Sequence, residues 1–244
     1  GKGLRVAGVI LARGGSKGVP NKNLLLLLGR PVLTYTFEHA LCSPLIERVF
    51  LSSEDERALC LAEEWGIETI RRPEALAIDS SPIQEALNHA LDELEGRHAY
   101  RPEALVVLYG NIPVRSETII DDCIAELMRT GCDSVRSFSP VDKHHPFWMS
   151  RIEGGRVIPF FENEVYRRQD LPPLFIHDGA AVVLRSERVR RTLRGGGLFE
   201  GDARGVIQDS HLTVDIDTPR DLKLAELFLR ERLPVGSPSH LSSP

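Results

Sequence analysis

Basic residues and glycines cluster in one short segment near the start of the chain. The apolar run RVAGVILA is followed directly by RGGSKGVPNKN, which places Arg13, Lys17 and Lys22 within a span of ten residues. Glycines leave backbone N–H groups accessible and the cations add positive charge, and an anionic ligand needs both. We therefore interpret residues 10–24 as a binding loop for a phosphorylated ligand. A solvated loop with incidental cations is the alternative.

Two common phosphate-binding motifs are absent from this loop. A P-loop requires glycine, lysine and a hydroxyl residue in that order, whereas the order here is Ser16, Lys17, Gly18. The dinucleotide fingerprint GxGxxG is missing because the glycines stand at positions 14, 15 and 18. The loop nonetheless follows the first strand directly, which is where α/β proteins cradle phosphates.

Two aspartates near the carboxyl end of the chain are spaced so that both carboxylates could bind the same ligand. Asp215 and Asp217 flank Ile216, so in an extended strand both carboxylates project to the same face. This spacing suits a shared Mg²⁺ ion, which takes oxygen ligands and keeps positions for phosphate and water. Alternatively, Asp217 or Thr218 caps the helix that is predicted to follow.

The elements that would position these residues alternate between strands and helices. Buried-strand patterns and helical periodicity follow one another along the first part of the chain. The predicted strands cover 5–12, 48–53, 67–73, 103–109 and 132–139, and the predicted helices cover 31–43, 54–66, 80–94 and 116–131. This alternation predicts an α/β fold with a Rossmann-like, mostly parallel sheet flanked by helices. Ligands of such folds bind beyond the carboxyl ends of the strands.

The stretch from 141 to 175 interrupts this pattern. Its prolines, scattered aromatic residues and central EGGR turn predict an inserted β-hairpin rather than another strand–helix unit. Strand patterns return over 180–185 and 209–217, and a closing helix covers 218–233. We therefore predict one domain, residues 1–233, that contains this insertion, and a disordered tail over 234–244.

The composition of the chain indicates which kinds of partner it binds and in which cellular compartment it works. Of the 244 residues 27% are charged, and the formal net charge of −5 argues against nucleic-acid binding. No apolar run is long enough to span a membrane. The four cysteines form no CxxC pair, which predicts reduced, packed thiols. The first residues do not match a signal peptide, and together with the reduced thiols this predicts a cytoplasmic protein. The arginines over 185–194 are interpreted as a solvated helix face.

The glycine-rich loop carries a family resemblance. LARGGSKGVPNKNL closely resembles the signature [LP]-A-R-x-x-S-K-G-x-x-x-K-N of the CMP-sialic acid synthetases, the acylneuraminate cytidylyltransferases. The segments RRPEALAIDSS, KHHPFWM, YRRQDLPPLFIHDGA and VDIDTPRDLKLAE are similar to further parts of that family. The resemblance extends to about Leu233 and implies a fold of the nucleotide-diphospho-sugar transferase type.

The resemblance implies a reaction and the residues that perform it. CMP would pass from CTP to the anomeric hydroxyl of a nonulosonic acid, and pyrophosphate would be released. The implied catalytic residues are Arg13 and Lys22 on the phosphates and Asp215 and Asp217 on Mg²⁺. The implied nucleotide-binding residues are Ala12, Arg13, Gly14, Ser16, Lys17, Lys22, Asn23, Arg72 and Ser81. For the last two, the alternatives are an ordinary surface arginine and a helix-capping serine.

The same resemblance implies a site for an acidic nine-carbon or Kdo-like sugar. Its residues would be Tyr109, Lys143, Arg168 and Asp178, with Lys143 and Arg168 reaching the partner's site in a homodimer through the 141–175 hairpin. The chain departs from the family here: LYGNIPVR replaces L-Q-P-T-S-P-L-R, so Tyr109 stands in place of glutamine. Asp178 stands where asparagine is common. Both departures concern the sugar rather than CTP.

Two other functions remain open on the sequence. A nucleotidyltransferase of the same fold could act on a sugar 1-phosphate or a polyol phosphate instead. A nucleotide-binding regulatory module without turnover belongs to a different class. The departures at Tyr109 and Asp178 favour that module, whereas the loop cations and the aspartate pair disfavour it.

Overall fold

A seven-stranded sheet forms the centre of the computed structural model, which describes residues 3–15, 21–78, 80–209 and 212–232. Four further short strands form two small hairpins. In chain order the strands are β1 (Val6–Leu11), β2 (Leu26–Leu27), β3 (Arg30–Pro31), β4 (Arg48–Ser53), β5 (Glu68–Arg71), β6 (Ala104–Tyr109), β7 (Ser134–Pro140), β8 (Ser150–Glu153), β9 (Arg156–Pro159), β10 (Phe175–Arg185) and β11 (Ala203–Ile207).

The strand order in the large sheet is β11-β7-β10-β6-β1-β4-β5. β1 runs parallel to both β4 and β6, and β4 runs parallel to β5. β10 is antiparallel to its neighbours β6 and β7, while β11 is parallel to β7. The predicted α/β fold with a mostly parallel sheet is therefore confirmed.

Helices cover both faces of the sheet. They are α1 (Val32–Leu41), α2 (Glu56–Glu64), α3 (Ile83–Arg97), α4 (Ile119–Thr130), α5 (Ser186–Arg191) and α6 (Pro219–Arg232). α1, α2 and α4 bury one apolar core against the sheet, and α3 and α5 bury the other. α6 joins a third cluster with Val32 and Ile216. Within the described ranges, no helix is both long and apolar enough to cross a membrane.

The strand predicted over 209–217 is wrong. Among the described residues of this stretch, 209 and 212–217, only Val214 makes a bridge, to Val114, and the strand at this edge of the sheet is instead β11. The sequence of β11, ARGVI, is almost wholly exposed and carries little of the alternation by which strands are detected. The apolar residues of VDID are buried for a different reason, because Val214 and Ile216 pack against α1 and α6.

Two predictions about individual side chains also need correction. Arg188 is only 6% exposed, because α5 packs on the sheet, so the arginine run is not wholly a solvated face. All four cysteines are free, and Cys123 and Cys132 are buried. Cys42 and Cys60 are exposed rather than packed, since Cys42 follows the end of α1 and Cys60 lies on the outer side of α2.

The insertion over 141–175, here called the arm, contains the predicted hairpin. β8 and β9 pair antiparallel around Gly154 and Gly155, whose φ values of 55° and 79° suit glycine. His145 is buried at the base of the arm, where Nδ1 accepts the N–H of Phe147 and Nε2 lies 2.9 Å from the carbonyl oxygen of Pro172. The domain limit at 233 and the predicted tail lie outside the described residues.

Candidate active site

A cleft of about 280 Å³ opens beyond the carboxyl ends of β1 and β6. Its walls come from the glycine-rich loop, the segment after β5, the start of α3 and the loop after β6. The sequence-predicted residues in its lining are Ala12, Arg13, Lys22, Asn23, Arg72, Ser81 and Tyr109. Ser16 and Lys17 lie outside the described residues. The cleft thus brings three cations, Arg13, Lys22 and Arg72, around one space.

Hydrogen bonds fix the described part of the glycine-rich loop to the sheet. The backbone N–H of Ala12 donates to the carbonyl of Ser52 at 3.2 Å. The Asn23 side chain is 6% exposed, and its Nδ2 donates to the carbonyl of Arg13 at 2.9 Å. Asn23 therefore holds the backbone beside Arg13 in place, which gives it a positioning role in this structure.

Glu54 joins the two sides of the cleft, and the sequence analysis missed it. Its Oε1 accepts the backbone N–H of Gly14 at 2.5 Å, and its Oε2 accepts Nε of Arg72 at 3.1 Å. The Arg72 side chain is only 5% exposed, so it is not an ordinary surface arginine. The segment EDER carried no signal for this role, because acidic residues at a helix start are common for capping alone.

Ser81 lines the cleft and does not cap a helix. Its hydroxyl donates to the carbonyl of Ala75 at 2.8 Å, across the turn that precedes α3. α3 begins at Ile83 after Pro82, without a side-chain cap. The capping alternative for Ser81 is therefore wrong, and Ser81 lines the same cleft as Arg72.

The aspartate pair faces the loop rather than the helix behind it. Nζ of Lys22 lies 3.5 Å from Oδ1 of Asp217. Thr218 directly precedes Pro219, the first residue of α6, and so occupies the cap position of the alternative reading, while Oδ2 of Asp221 inside the first turn accepts the N–H groups of Asp217 and Thr218 at 2.8 Å each. Because Asp221 accepts these two backbone N–H groups at the start of α6, the carboxylate of Asp217 is not needed as a cap.

Asp215 ionises less readily than an ordinary aspartate. Burial, a hydrogen bond with Asp217 and the charge of Asp217 together raise the pKa of Asp215 to about 6. Two carboxylates held this closely form a site that a cation stabilises. Within the described ranges, no cluster of three or more metal-ligating side chains is present.

A buried arginine, Arg115, holds the backbone at the end of β6, where Tyr109 lies. Arg115 is 2% exposed, and burial lowers its pKa to about 9. Burial and the charge of Arg115 lower the pKa of His39 to about 3, so this imidazole is neutral and lies 3.1 Å from the guanidinium. The other acceptors of Arg115 are the carbonyls of Tyr109, Ile112 and Ala180 and the hydroxyl of Thr36.

Asp178 is held in an internal hydrogen-bond network. It accepts the hydroxyls of Ser137 and Ser139 at 2.6 and 2.7 Å, the amide of Gln208 at 2.7 Å and the N–H of Ala180 at 3.0 Å. Burial opposes its ionisation, but these four donors hold the pKa of Asp178 below its usual value. The carboxylate therefore fixes the irregular part of β10 between His177 and Val182.

The other two predicted sugar residues lie on the arm. Lys143 and Arg168 are both exposed and lie outside the cleft lining of their own chain. Within the described residues, neither forms an ion pair, whereas the neighbouring Arg167 pairs with Asp170 at 2.9 Å.

A family model described as cytidylyltransferase matches residues 7–178. The chain belongs to the cytidylyltransferase family. Over 218 residues, the chain is 30% identical to an N-acylneuraminate cytidylyltransferase of Streptococcus agalactiae, covering 87% of this chain and 50% of that protein. It is 26% identical to a pseudaminic acid cytidylyltransferase of Campylobacter jejuni over 228 residues, which covers 91% of this chain and 95% of that protein. The chain thus spans about half the length of the streptococcal relative.

Solved structures agree on the fold of this cytidylyltransferase family member. A CMP:2-keto-3-deoxy-manno-octonic acid synthetase complexed with CTP matches with a TM-score of 0.72 at 15% identity, covering 94% of this chain and all of that one. A 4-diphosphocytidyl-2C-methyl-D-erythritol synthase of Anaerococcus prevotii matches with a TM-score of 0.65 at 14% identity. At such identities the likeness concerns the fold alone.

Proposed function

We propose that this protein transfers CMP from CTP to the anomeric hydroxyl of a nonulosonic acid and releases pyrophosphate. The observation that carries the proposal is the convergence of Arg13, Lys22 and Arg72 on one cleft at the carboxyl ends of β1 and β6. Two matched relatives are named for cytidylyl transfer to N-acylneuraminate and to pseudaminic acid, which supports a nonulosonic acid as acceptor.

The mechanism follows from what the cleft residues can do. The planar guanidinium group of Arg13 can donate to two phosphate oxygens at once, and the ammonium group of Lys22 carries a compact positive charge. Lys22 is held by its ion pair with Asp217 before the ligand arrives, and both cations would stabilise charge that develops on the departing pyrophosphate. Arg72 and Ser81 lie on the opposite wall and would bind the cytosine. The acceptor hydroxyl is then aligned beyond Tyr109 for attack on the α-phosphorus.

Asp215 and Asp217 are the proposed ligands of Mg²⁺. Burial, followed by the hydrogen bond with Asp217 and the charge of Asp217, raises the pKa of Asp215, and a bound cation would favour the ionised form; oxygen is the donor that Mg²⁺ prefers. When bound, the ion would neutralise charge on the phosphates, whose oxygens would complete its coordination together with water. Lys22, which lies 3.5 Å from Asp217, would place the triphosphate next to this pair.

Pyrophosphate release tests the proposed function. The protein is incubated with CTP, Mg²⁺ and a panel of nonulosonic acids that includes sialic, pseudaminic, legionaminic and Kdo-type sugars. Turnover that requires one of these acceptors is the expected result. Turnover only with a sugar 1-phosphate or a polyol phosphate would assign a different transferase, and CTP binding without any turnover would assign a regulatory module.

We also propose a homodimer in which the arm contributes to the partner's site. The arm exposes large apolar side chains that a free monomer rarely shows together. Ile152 is 66% exposed, Val157 67%, Phe160 58% and Tyr166 87%. Burial of this surface against a second copy would also bring Lys143 and Arg168 towards a second cleft.

Complementation between two inactive variants tests the shared site. Arg13→Ala removes a cleft cation and Arg168→Ala removes an arm cation, so each homodimer is expected to be nearly inactive. Mixed dimers are expected to regain about one functional site each, because one cleft then has both cations. A monomer in solution, or no recovery after exchange of subunits is confirmed, contradicts the shared site.

A further inference from the structure

Arg188, on α5, is a buried cation with no hydrogen-bond acceptor among the described residues. The residue is 6% exposed, and its Nε is shielded from solvent without a partner. In the same part of the chain, Nη1 and Nη2 likewise form neither a hydrogen bond nor an ion pair. A guanidinium has five N–H donors, and burial of a charge with its donors unsatisfied is unfavourable. Arg188 therefore requires an acceptor that the described residues do not supply.

The neighbouring arginines of the same helix are in a different state. Arg190 pairs with Asp92 at 2.7 Å, and Arg191 pairs with Glu187 at 2.7 Å. The side chains of Arg190 and Arg191 are 27% and 53% exposed, so water also solvates their charges. The arginine-rich sequence of α5 thus explains two surface ion pairs, but it does not explain the buried arginine between the sheet and the surface.

A glycine-rich turn, residues 195–201, lies against this guanidinium and is here called the 195–201 turn. A Cβ atom placed on Gly196 would lie 3.0 Å from Nη2 of Arg188, so the turn approaches more closely than a residue with a side chain allows. The backbone N–H groups of Gly196 and Gly197 have no acceptor in the described part of the chain. Nη1 and Nη2 of Arg188 are not shielded from solvent as Nε is. The turn therefore brings further unsatisfied donors next to the open edge of the guanidinium.

Two carboxylates lie near Arg188 without pairing with it. Oε2 of Glu200 lies 3.3 Å from the Cβ position of Gly196, and its Oε1 lies 3.2 Å from that of Gly197. Glu200 is exposed, yet its carboxylate lies over the two glycines, as expected where the local potential is positive. Asp133 is engaged elsewhere, because its Oδ2 accepts a backbone N–H just after the turn at 2.8 Å. The charge of Arg188 is therefore only loosely compensated.

Arg188 lies at the opposite end of the sheet from the cleft. α5 begins directly after Arg185, the last residue of β10, which pairs with Ala104 at the start of β6. The cleft opens instead beyond Tyr109, at the end of the same strand. Because β6 has 6 residues, its two ends are about 17 Å apart. A ligand at Arg188 is therefore not a ligand of the cleft.

We infer that Arg188 and the 195–201 turn bind a small oxyanion of the phosphate class. The edge of a guanidinium can donate to two oxygens of such an anion at once, and backbone N–H groups of a turn can donate to another. The anion supplies the charge and the acceptors that Arg188 lacks, and the exposed Glu200 turns towards solvent as the anion enters. Inorganic phosphate and the pyrophosphate of the proposed reaction share this chemistry. Because the site lies outside the cleft, its existence does not depend on the proposed function.

Calorimetric titration with inorganic phosphate and, separately, with pyrophosphate measures this binding in the absence of Mg²⁺. Every protein compared carries Arg13→Ala and Lys22→Ala, which weaken phosphate binding in the cleft. Adding Arg188→Met, which keeps the aliphatic stem, is expected to weaken binding about 10- to 100-fold, the loss of a charged hydrogen bond. Arg191→Met is the control, because it removes an exposed arginine that pairs with Glu187 on the same helix, and it is expected to leave the affinity unchanged.

Two further variants change the affinity in opposite directions. Gly196→Ala places a methyl group against Nη2 of Arg188 and is expected to weaken binding. Glu200→Gln removes a negative charge beside the anion and is expected to tighten binding. The ratio of the two affinities identifies the source of the anion. Tighter binding of pyrophosphate indicates the product of the proposed reaction, and equal or tighter binding of inorganic phosphate indicates the free ion.

Thermal melts distinguish an anion site from a purely structural arginine. Without phosphate, Arg188→Met is expected to melt no lower than its parent, because the substitution removes a buried charge that has no partner. Phosphate at about ten times its Kd is expected to raise the Tm of the parent by about 3–6 °C, and that of Arg188→Met by much less.

Unchanged affinity in Arg188→Met, or no binding of either anion to the parent, overturns the inference. If Arg188→Met does not fold, Gly196→Ala decides, since it keeps the arginine, and unchanged affinity in that variant has the same meaning. A lower Tm of both Arg188→Met and Glu200→Gln without phosphate also overturns the inference, because Arg188 then pairs with Glu200 in solution.

Discussion

Arg13→Ala and Lys22→Ala are each expected to lower kcat/KM for CTP about 10²- to 10³-fold while the chain stays folded. Both side chains line the cleft, and the Lys22 side chain is 12% exposed, so their charges are positioned before the nucleotide binds. Removal of one preorganised group that stabilises transition-state charge typically costs about 3–4 kcal/mol. Pyrophosphate release measures the loss, and a thermal melt of each variant measures the fold.

The control for these variants is Arg71→Ala. Arg71 precedes Arg72 in the chain, but its side chain is 61% exposed and pairs with Glu56 outside the cleft. We expect it to keep nearly full kcat/KM, since exposed ion pairs contribute little. If Arg13→Ala and Lys22→Ala have activity close to that of this control, the assignment of the glycine-rich loop as the phosphate-binding loop is wrong.

Asp215→Asn and Asp217→Asn are each expected to raise the Mg²⁺ concentration needed for half-maximal rate by at least about tenfold, a typical cost for damage to a metal site. The physical reason is the loss of one of two proposed protein ligands. The pKa of Asp215 is raised to about 6, so its ionised form is disfavoured in the fold and destabilises it as the pH rises above the ordinary range of aspartate. Asp215→Asn is therefore expected to melt slightly higher at neutral pH without metal.

Asp221→Asn distinguishes loss of Mg²⁺ binding from loss of the hydrogen bonds at the start of α6. Asp221 accepts the N–H groups of Asp217 and Thr218 at the start of α6, so its loss is expected to lower Tm by weakening that cap. Its Mg²⁺ requirement is expected to stay the same. If the Asp215 and Asp217 variants instead melt lower with an unchanged Mg²⁺ titration, the pair is structural and the metal proposal is wrong.

Local signals predicted most of the fold. The buried strands β1 and β6 are short apolar runs, and α4 has a strong apolar face, so periodicity located each of them. β11 was missed because an exposed edge strand with a glycine has no such pattern. The apolar residues near Asp215 were interpreted as a strand, but their burial comes from α1 and α6, which sequence spacing does not reveal.

The site was predictable where its chemistry is contiguous in sequence. Arg13, Lys22 and Asn23 lie in one motif, and the structure places all three in the cleft lining. Glu54 was missed because a carboxylate at a helix start has ordinary local surroundings. Its role depends on a partner distant in sequence, since Gly14 lies 40 residues before it.

Glu54 has a consequence for the end of the catalytic cycle. Its Oε1 accepts the Gly14 amide and its Oε2 accepts Arg72, so a phosphate that approaches the loop competes with Glu54 for the Gly14 amide. In the proposed reaction, CTP would bring three phosphates to this competition, whereas the CMP-sugar would keep only one, together with the cytosine proposed to lie at Arg72. The loop would therefore hold the product more weakly than the substrate. Return of Glu54 to the Gly14 amide would favour product exit and limit inhibition by the accumulating product.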